Sequence, residues 1–177
     1  MSHDHRQALN WDELLAQARS LLEGERNAIA NAANLSALLF HSLPDLNWLG
    51  FYFVEGDGLV VGPFQGLPAC VRLPMGAGVC GTAAARRETL VVADVDLFDG
   101  HIACDSASRS EIVVPLVAGG TLYGVLDVDS PKPGRFTDED RRGFEQAALI
   151  YMAASAPPFA APSPPFTATD RPLTAQR

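Results

Sequence analysis

The stretch that decides the fold is EIVVPLVAGGTLYGVLDVD, residues 111–129. Two apolar, β-branched runs flank the turn AGGT, and this pattern predicts a β-hairpin. Because side chains on a strand alternate between two faces, one set of alternate residues in the second run faces the core and the other faces away. The core-facing set is Leu122, Gly124, Leu126 and Val128, and the opposite set is Tyr123, Val125, Asp127 and Asp129.

A second hairpin is predicted upstream, between WLGFYFV (48–54) and LVVGPF (59–64). Helices are predicted over 10–23 with Asn10 as N-cap, over 25–42, over 78–88, and from Thr137 or Asp138 to about Ala154; 89–95 is a short strand. This order predicts an α+β domain, with a mostly antiparallel sheet and helices covering one face. Loops 64–78 and 93–110 are expected to form a ligand pocket on the other face.

Length and charge narrow the class of protein. A chain of 177 residues predicts one domain, here 10–155, between a flexible N-terminus (1–9) and a Pro/Ala-rich disordered tail (156–177). The net charge of −8 argues against nucleic acid and against an anionic membrane surface. No apolar run has the length of a membrane span and no secretory signal is present, so a cytoplasmic protein with reduced thiols is expected.

Three acids are predicted to converge at one end of the second hairpin. Glu111 opens its first strand, and the pairing around AGGT brings Glu111 near Asp127 and Asp129. Neighbouring carboxylates raise one another's pKa, so one of them can stay protonated and act as an acid, and together they suit a ligand ammonium group. The alternative is a solvated strand end, which fits Asp129 beside the SPKP turn equally well.

The chain has three cysteines, Cys70, Cys80 and Cys104, and an odd number in a reducing compartment is not a disulfide scaffold. Cys70 and Cys104 lie in the two long loops, which suggests a nucleophile and a resolving thiol, with His101 and Arg109 favouring the Cys104 thiolate. Cys80, in GVCGT, is interpreted more simply as a small buried residue. A zinc site using the His101-x-x-Cys104 spacing is the weaker alternative, because no CxxC pair is present, and no metal is expected.

Aromatic residues of the first strand are predicted to divide between its faces. Trp48 and Tyr52 share the pocket face, where they can form an apolar wall, whereas Phe51 and Phe53 are expected in the core.

Three stretches, GPFQGLPAC (62–70), GVCGTAAA (78–85) and GHIACDSASRSEIVVP (100–115), closely resemble the free methionine-(R)-sulfoxide reductases, which are single GAF domains. The resemblance extends from the first helix to FTDEDRRGFEQ (136–146). It implies that Cys104 is the nucleophile, Cys70 the main resolving cysteine and Cys80 a third cysteine in disulfide exchange. It also implies roles for five pocket residues: Glu111, Asp127 and Asp129 hold the substrate and assist protonation, and Trp48 and Tyr52 surround its methyl end.

The resemblance implies an enzyme that repairs oxidised methionine. Free L-methionine-(R)-S-oxide would be reduced through a cysteine sulfenic acid and an intramolecular disulfide, without a bound cofactor, and thioredoxin would restore the thiols. The alternative is a non-catalytic GAF sensor that binds a small molecule. The N-terminal helices offer a seam for a homodimer.

Overall fold

The protein, described here from a computed structural model over residues 10–100, 102 and 105–156, is built on one antiparallel sheet. Its strands are β1 (Trp48–Glu55), β2 (Gly58–Gly66), β3 (Arg72–Pro74), β4 (Leu90–Val92), β5 (Ser110–Ala118) and β6 (Thr121–Ser130). They lie in the order β3-β2-β1-β6-β5-β4. The pairs β1–β2 and β5–β6 confirm both predicted hairpins. The three-residue β3 was not predicted, because so short an edge strand shows no alternation.

Four helices accompany the sheet: α1 (Trp11–Leu22), α2 (Ala28–Ser42), α3 (Gly78–Arg86) and α4 (Asp138–Ala154), with a 3₁₀ turn at Val95–Leu97. Asn10 is the N-cap of α1, as predicted, and its side chain accepts a hydrogen bond from the Glu13 N–H at 2.8 Å. The second helix begins three residues later than expected. Asn27 caps it, and the preceding Glu25 side chain accepts hydrogen bonds from the backbone N–H groups of Arg26 and Asn27, which holds that segment outside the helix.

Three helices cover one face of the sheet and the fourth lies on the other. Leu49 and Phe51 of β1 and Leu126 of β6 are buried with residues of α1, α2 and α4. On the opposite face, Val79 of α3 packs in a second cluster that includes Val113 of β5. The expected helix-covered face is therefore confirmed for three helices. The fourth helix, α3, consists mostly of small residues, so it packs closely on the pocket face of the sheet. The alternation of residues along the strands could not predict this position.

The predicted alternation of β6 holds near the acids and fails near the turn. Leu126 and Val128 belong to the helix-side core, and Val125 to the pocket-side cluster. The pairing register shifts between Leu116 and Val117, because Leu116 pairs with Gly124 whereas Val117 pairs with Leu122. Tyr123 is therefore an extra residue in a bulge, and it packs on the helix side while Leu122 packs on the pocket side. The predicted faces of these two residues were wrong.

The described part of the chain ends just after α4. The Ala156 N–H donates to the carbonyl of Arg26 at 2.9 Å. The predicted flexible N-terminus, 1–9, and residues 157–177 of the predicted tail lie outside the described residues. Within the described ranges, no helix combines the length and apolar character required to cross a membrane.

Candidate active site

A pocket lies on the side of the sheet that carries α3. It is enclosed by α3, by the loop that leads into β5 and by the strands β1, β5 and β6. It contains about 390 Å³ of empty space, part of it open to solvent. Its lining includes five residues predicted from the sequence as candidate site residues: Tyr52, Cys80, Glu111, Asp127 and Asp129. Leu73, Ala77, Gly78, Val79, Ile102, Asp105 and Ser108 complete it. The structure therefore brings the three predicted acids, Tyr52 and Cys80 to one cavity.

Strand register explains why the acids meet. Glu111 of β5 pairs directly with Asp129 of β6, and Asp127 pairs with Val113 on one side and with Gly50 of β1 on the other. Asp127 and Asp129 are two residues apart on one strand, so they share the pocket face. Glu111 and Asp127 are each 6% exposed, and Asp129 is partly exposed in the pocket. The cluster is thus a buried feature and not a solvated strand end.

Burial shifts the pKa of all three carboxyl groups upward. For Glu111, loss of water is the main cause, followed by the charges of Asp127 and Asp129, and its pKa lies well above the ordinary value. The pKa of Asp129 is also raised, by burial and by the charges of Asp127 and Asp105. Burial raises the pKa of Asp127 to about 6, although hydrogen bonds from neighbours oppose it. Such groups keep protons at pH values where an exposed acid has lost its own.

Cys80 is buried at the start of α3 and faces the acids. Its thiol donates a hydrogen bond to Oε1 of Glu111, with the sulfur and oxygen 3.8 Å apart. Burial raises the pKa of the Cys80 thiol well above its ordinary value, and the charges of Asp127 and Glu111 raise it further. The protonated thiol is therefore the stable form, as expected of a small buried residue.

Two aromatic rings form a wall that is tied to the loop carrying Cys70. The rings of Trp48 and Tyr52 stack with centroids 5.7 Å apart. The Trp48 indole N–H donates to the Leu67 carbonyl, and the Tyr52 hydroxyl donates to the Cys70 carbonyl, each at 3.1 Å. Tyr52 lines the pocket while Trp48 lies behind it. Phe51 and Phe53 lie in the helix-side core, as predicted.

Sequence reasoning missed the residues that hold the outer rim of the pocket. The Asn47 side-chain amide donates to Asp105 at 2.9 Å and to Ser108 at 3.0 Å, and the Asn47 N–H donates to the Asp129 carbonyl at 3.1 Å. Ser108 also hydrogen-bonds the Asp129 side chain. A polar residue placed directly before a buried aromatic strand was the one signal available for Asn47.

The cysteine-bearing loops are described in part. Cys70 is disulfide-bonded, whereas Cys80 is a free thiol. His101 and Cys104 lie outside the described residues, so the predicted nucleophile and the alternative zinc pair stay predictions. Arg109 was expected to favour a Cys104 thiolate. Its Nη2 lies 3.8 Å from Oδ2 of Asp94 and its Nε lies 3.5 Å from Oδ2 of Asp96, so these two carboxylates offset its charge.

Replacing Gly50 with alanine is expected to disturb the aromatic wall. An added Cβ would lie 2.3 Å from Cβ of Phe64 and 2.7 Å from the Trp48 ring, closer than packed atoms allow. We expect Gly50→Ala to lower the free energy of unfolding by about 1–3 kcal/mol, measured by urea titration. Thr121→Ala, an exposed control, should change it by less than about 0.5 kcal/mol. Equal stability of the two variants would contradict this packing.

Known proteins share both the sequence and this architecture. The GAF domain family matches residues 11–154. The free methionine-R-sulfoxide reductase of Escherichia coli (strain K12) is 58% identical over 136 residues, which cover 77% of this chain and 82% of the relative. The chain belongs to the free methionine-R-sulfoxide reductase family. The predicted resemblance and the single GAF domain are thus confirmed.

Solved structures agree with this membership of the free methionine-R-sulfoxide reductase family. The free methionine-R-sulfoxide reductase from Neisseria meningitidis, in complex with its substrate, is 44% identical and superposes with a TM-score of 0.79, covering 81% of this chain and 87% of that one. A protein of Burkholderia vietnamiensis described as a candidate GAF sensor is 62% identical, with a TM-score of 0.80 over 82% and 92% of the two chains.

Proposed function

We propose that this protein is an oxidoreductase that reduces free L-methionine-(R)-S-oxide to L-methionine. The named activity of the Escherichia coli relative and the substrate complex from Neisseria meningitidis support the proposal. The observation that carries it is the cluster of three acids, Glu111, Asp127 and Asp129, beside the aromatic wall of one pocket. That pocket presents charge for an amino acid and an apolar surface for a thioether.

The acids suit the difficult step of the reaction. A sulfoxide oxygen leaves sulfur readily only after protonation, so a proton donor must act while a thiolate attacks. Burial and the neighbouring charges raise the pKa values of Glu111 and Asp129, so these groups hold a proton more tightly than an exposed acid does. A carboxylate in the same cluster would pair with the substrate ammonium group. Because that nitrogen is an uncharged amide in a peptide, the pairing restricts the enzyme to the free amino acid.

The cysteines would accept the sulfoxide oxygen and supply the two electrons that reduce the substrate. The Cys104 sulfur attacks the substrate sulfur, takes over its oxygen as a sulfenic acid, and methionine leaves. The Cys70 thiol then condenses with the sulfenic acid, which releases water and forms a disulfide. Thioredoxin reduces this disulfide by thiol–disulfide exchange, so no bound cofactor is needed.

Cys70 is a better resolving thiol than Cys80. Cys70 is disulfide-bonded in the structure, and its loop is held next to the pocket by the Tyr52 hydroxyl. Cys80 is a buried thiol that donates to Glu111, and its raised pKa disfavours the thiolate needed for attack. We therefore assign resolution to Cys70 and leave Cys80 a secondary part in disulfide exchange.

A Cys70→Ser variant should complete one turnover and then stall with thioredoxin as reductant. The sulfenic acid would lack its main partner thiol. The remaining thiol, Cys80, is buried and has a raised pKa, so it would react slowly, and one methionine per chain is expected in a rapid-quench experiment. A small dithiol should restore slow turnover, because it can enter the pocket. Cys80→Ser is the matched control and should keep multiple turnovers. Full thioredoxin-dependent turnover by Cys70→Ser would contradict the assignment.

The proposed activity is tested by thioredoxin-coupled turnover of four substrates: free and N-acetylated methionine sulfoxide, each as the R and the S epimer. Turnover of the free R epimer alone is expected, because N-acetylation removes the ammonium charge and because the named activity of the Escherichia coli relative is toward the R sulfoxide. Equal use of the acetylated compound would contradict binding of the ammonium group by the carboxylates.

A GAF sensor without catalytic activity is the second candidate, and the Burkholderia vietnamiensis protein favours it. The two functions differ in what happens to the thiols. Adding one equivalent of methionine sulfoxide to the fully reduced chain should remove two hydrogens from its intact mass if the protein is the enzyme. An unchanged mass, with the ligand bound, would support the sensor.

A homodimer through the N-terminal helices stays a prediction. Leu21 of α1 and Ile29 of α2 are 44% and 50% exposed, so apolar surface is available there. Sedimentation equilibrium of the full chain measures the mass of the species in solution.

A further inference from the structure

Three potential metal ligands meet at the floor of the pocket. Sγ of Cys80 and one carboxylate oxygen each from Glu111 and Asp127 all lie within 4.8 Å of one another, and all three residues are buried. The groups come from three different elements, α3, β5 and β6, which pack directly against each other. Small side-chain shifts bring such atoms to the separations found around one tetrahedral ion.

A second observation, on one oxygen of Asp127, favours a cation at this place. Oδ1 of Asp127 is buried and has no hydrogen-bond partner among the described residues, although the side chain lines the pocket. A buried carboxylate oxygen without a partner is unfavourable, because nothing replaces the water it has lost. A cation entering from the pocket would supply that partner.

We propose that Cys80, Glu111 and Asp127 form a binding site for Zn²⁺, and that the bound ion inhibits the enzyme by occupying the substrate pocket. One thiolate and two carboxylates are a donor set for a borderline-soft ion, whereas the hard cations Mg²⁺ and Ca²⁺ avoid sulfur. Binding releases the Cys80 thiol proton and any protons held by the two carboxyl groups. All three residues line the pocket, so a water molecule from the pocket would complete the coordination of the ion.

The site explains why zinc and substrate should exclude each other. Glu111 and Asp127 are two of the acids to which we assign the ammonium group and the protonation step, so one carboxylate pair cannot serve both ligands at once. The inhibitory part of the inference therefore rests on the proposed function, whereas binding of the metal does not.

Binding is tested with Cd²⁺, which replaces Zn²⁺ and gives an ultraviolet charge-transfer band when bound to a thiolate. The double variant Cys70→Ser/Cys104→Ser keeps Cys80 as the single cysteine of the chain. Cd²⁺ should give the band in this variant and none after Cys80→Ser is added. If the double variant shows no band, the site does not exist.

The carboxylates are tested in the same Cys80-only background. Adding Asp127→Asn, or in a second variant Glu111→Gln, should weaken Cd²⁺ binding by about tenfold or more. Asp105→Asn is the matched control, because Asp105 lines the pocket outside the cluster and should leave the affinity unchanged. If both cluster variants bind Cd²⁺ as tightly as the control, the ion is held by the thiol alone and the proposal is wrong.

Competition places the ion in the pocket. Methionine sulfoxide should weaken Cd²⁺ binding to the Cys80-only protein, and Zn²⁺ should raise KM of the wild-type enzyme without changing kcat. Zinc that lowers kcat at saturating substrate would overturn the proposed overlap. If Cd²⁺ binds as expected but the wild-type protein turns over no substrate, the metal site stands and the proposed function fails.

Discussion

A Cys104→Ser variant is expected to release no methionine from methionine sulfoxide, with turnover reduced by at least about 10³-fold. The proposed reaction begins with a thiolate that attacks the substrate sulfur and then retains its oxygen. A serine hydroxyl stays protonated near neutral pH, attacks sulfur poorly, and cannot form the sulfenic acid that the next step requires. The measurement is methionine formed over time with thioredoxin, thioredoxin reductase and NADPH.

The control for this variant is Cys80→Ser, which changes another sulfur at the same pocket to oxygen. It should keep thioredoxin-dependent turnover, because the Cys80 thiol is buried against Glu111 and is not assigned to attack. The Cys104→Ser variant should still bind the substrate, because the acids and the aromatic wall are unchanged. Calorimetry measures this binding. Thioredoxin-dependent turnover by Cys104→Ser at the wild-type rate would show that another thiol is the nucleophile.

The acid cluster could be predicted because it depends on local rules. Alternation along β6 puts Asp127 and Asp129 on one face, and the short turn fixes the register that sets Glu111 opposite Asp129. The same rule separated Trp48 and Tyr52 from Phe51 and Phe53. Each of these inferences needed only neighbours along the chain or across one hairpin.

Features that depend on distant contacts could not be predicted in this way. The position of α3 on the pocket face follows from how Val79 and Cys80 fit against β5 and β6, which no local pattern records. Asn47 reaches a rim loop that lies about 60 residues further along the chain, at 58 and 61 positions for its two partners. The bulge at Tyr123 inverted the alternation, and the glycine beside it, Gly124, does not by itself show that the register shifts there.

An Asp127→Asn variant is expected to lose activity and gain stability. Asparagine keeps the shape but supplies neither the negative charge nor the acidic proton, so we expect kcat/KM to fall by about 10²–10⁴-fold. The gain in stability follows from the burial of the Asp127 carboxylate. The folded state raises the pKa of Asp127 from 3.8 to about 6, so the ionised side chain is less favourable in the folded protein than in the unfolded chain.

The sign of the stability effect depends on pH. Because the folded pKa is the higher one, the folded state binds the proton more tightly, and the free energy of unfolding falls as pH rises from about 4 to about 6. Above pH 6 the loss in the free energy of unfolding is complete, and it reaches at most about 3 kcal/mol for a pKa shift of about two units. Asparagine has no such loss. Its advantage should therefore be absent near pH 4 and fully developed at pH 7.

Urea unfolding of both proteins from pH 4 to pH 8 measures this difference, with Asp57→Asn in the exposed β1–β2 turn as the control. Glu111, Asp129 and Cys80 face Asp127, and the charge of Asp127 raises their pKa values. Asp127→Asn removes that charge, so these pKa values fall in the variant, which adds to its advantage in stability at the higher pH values. A variant that is inactive and less stable at every pH would mean that Asp127 supports the fold. One that is inactive but more stable at pH 7 alone would mean that the pocket keeps a destabilising charge because the chemistry requires it.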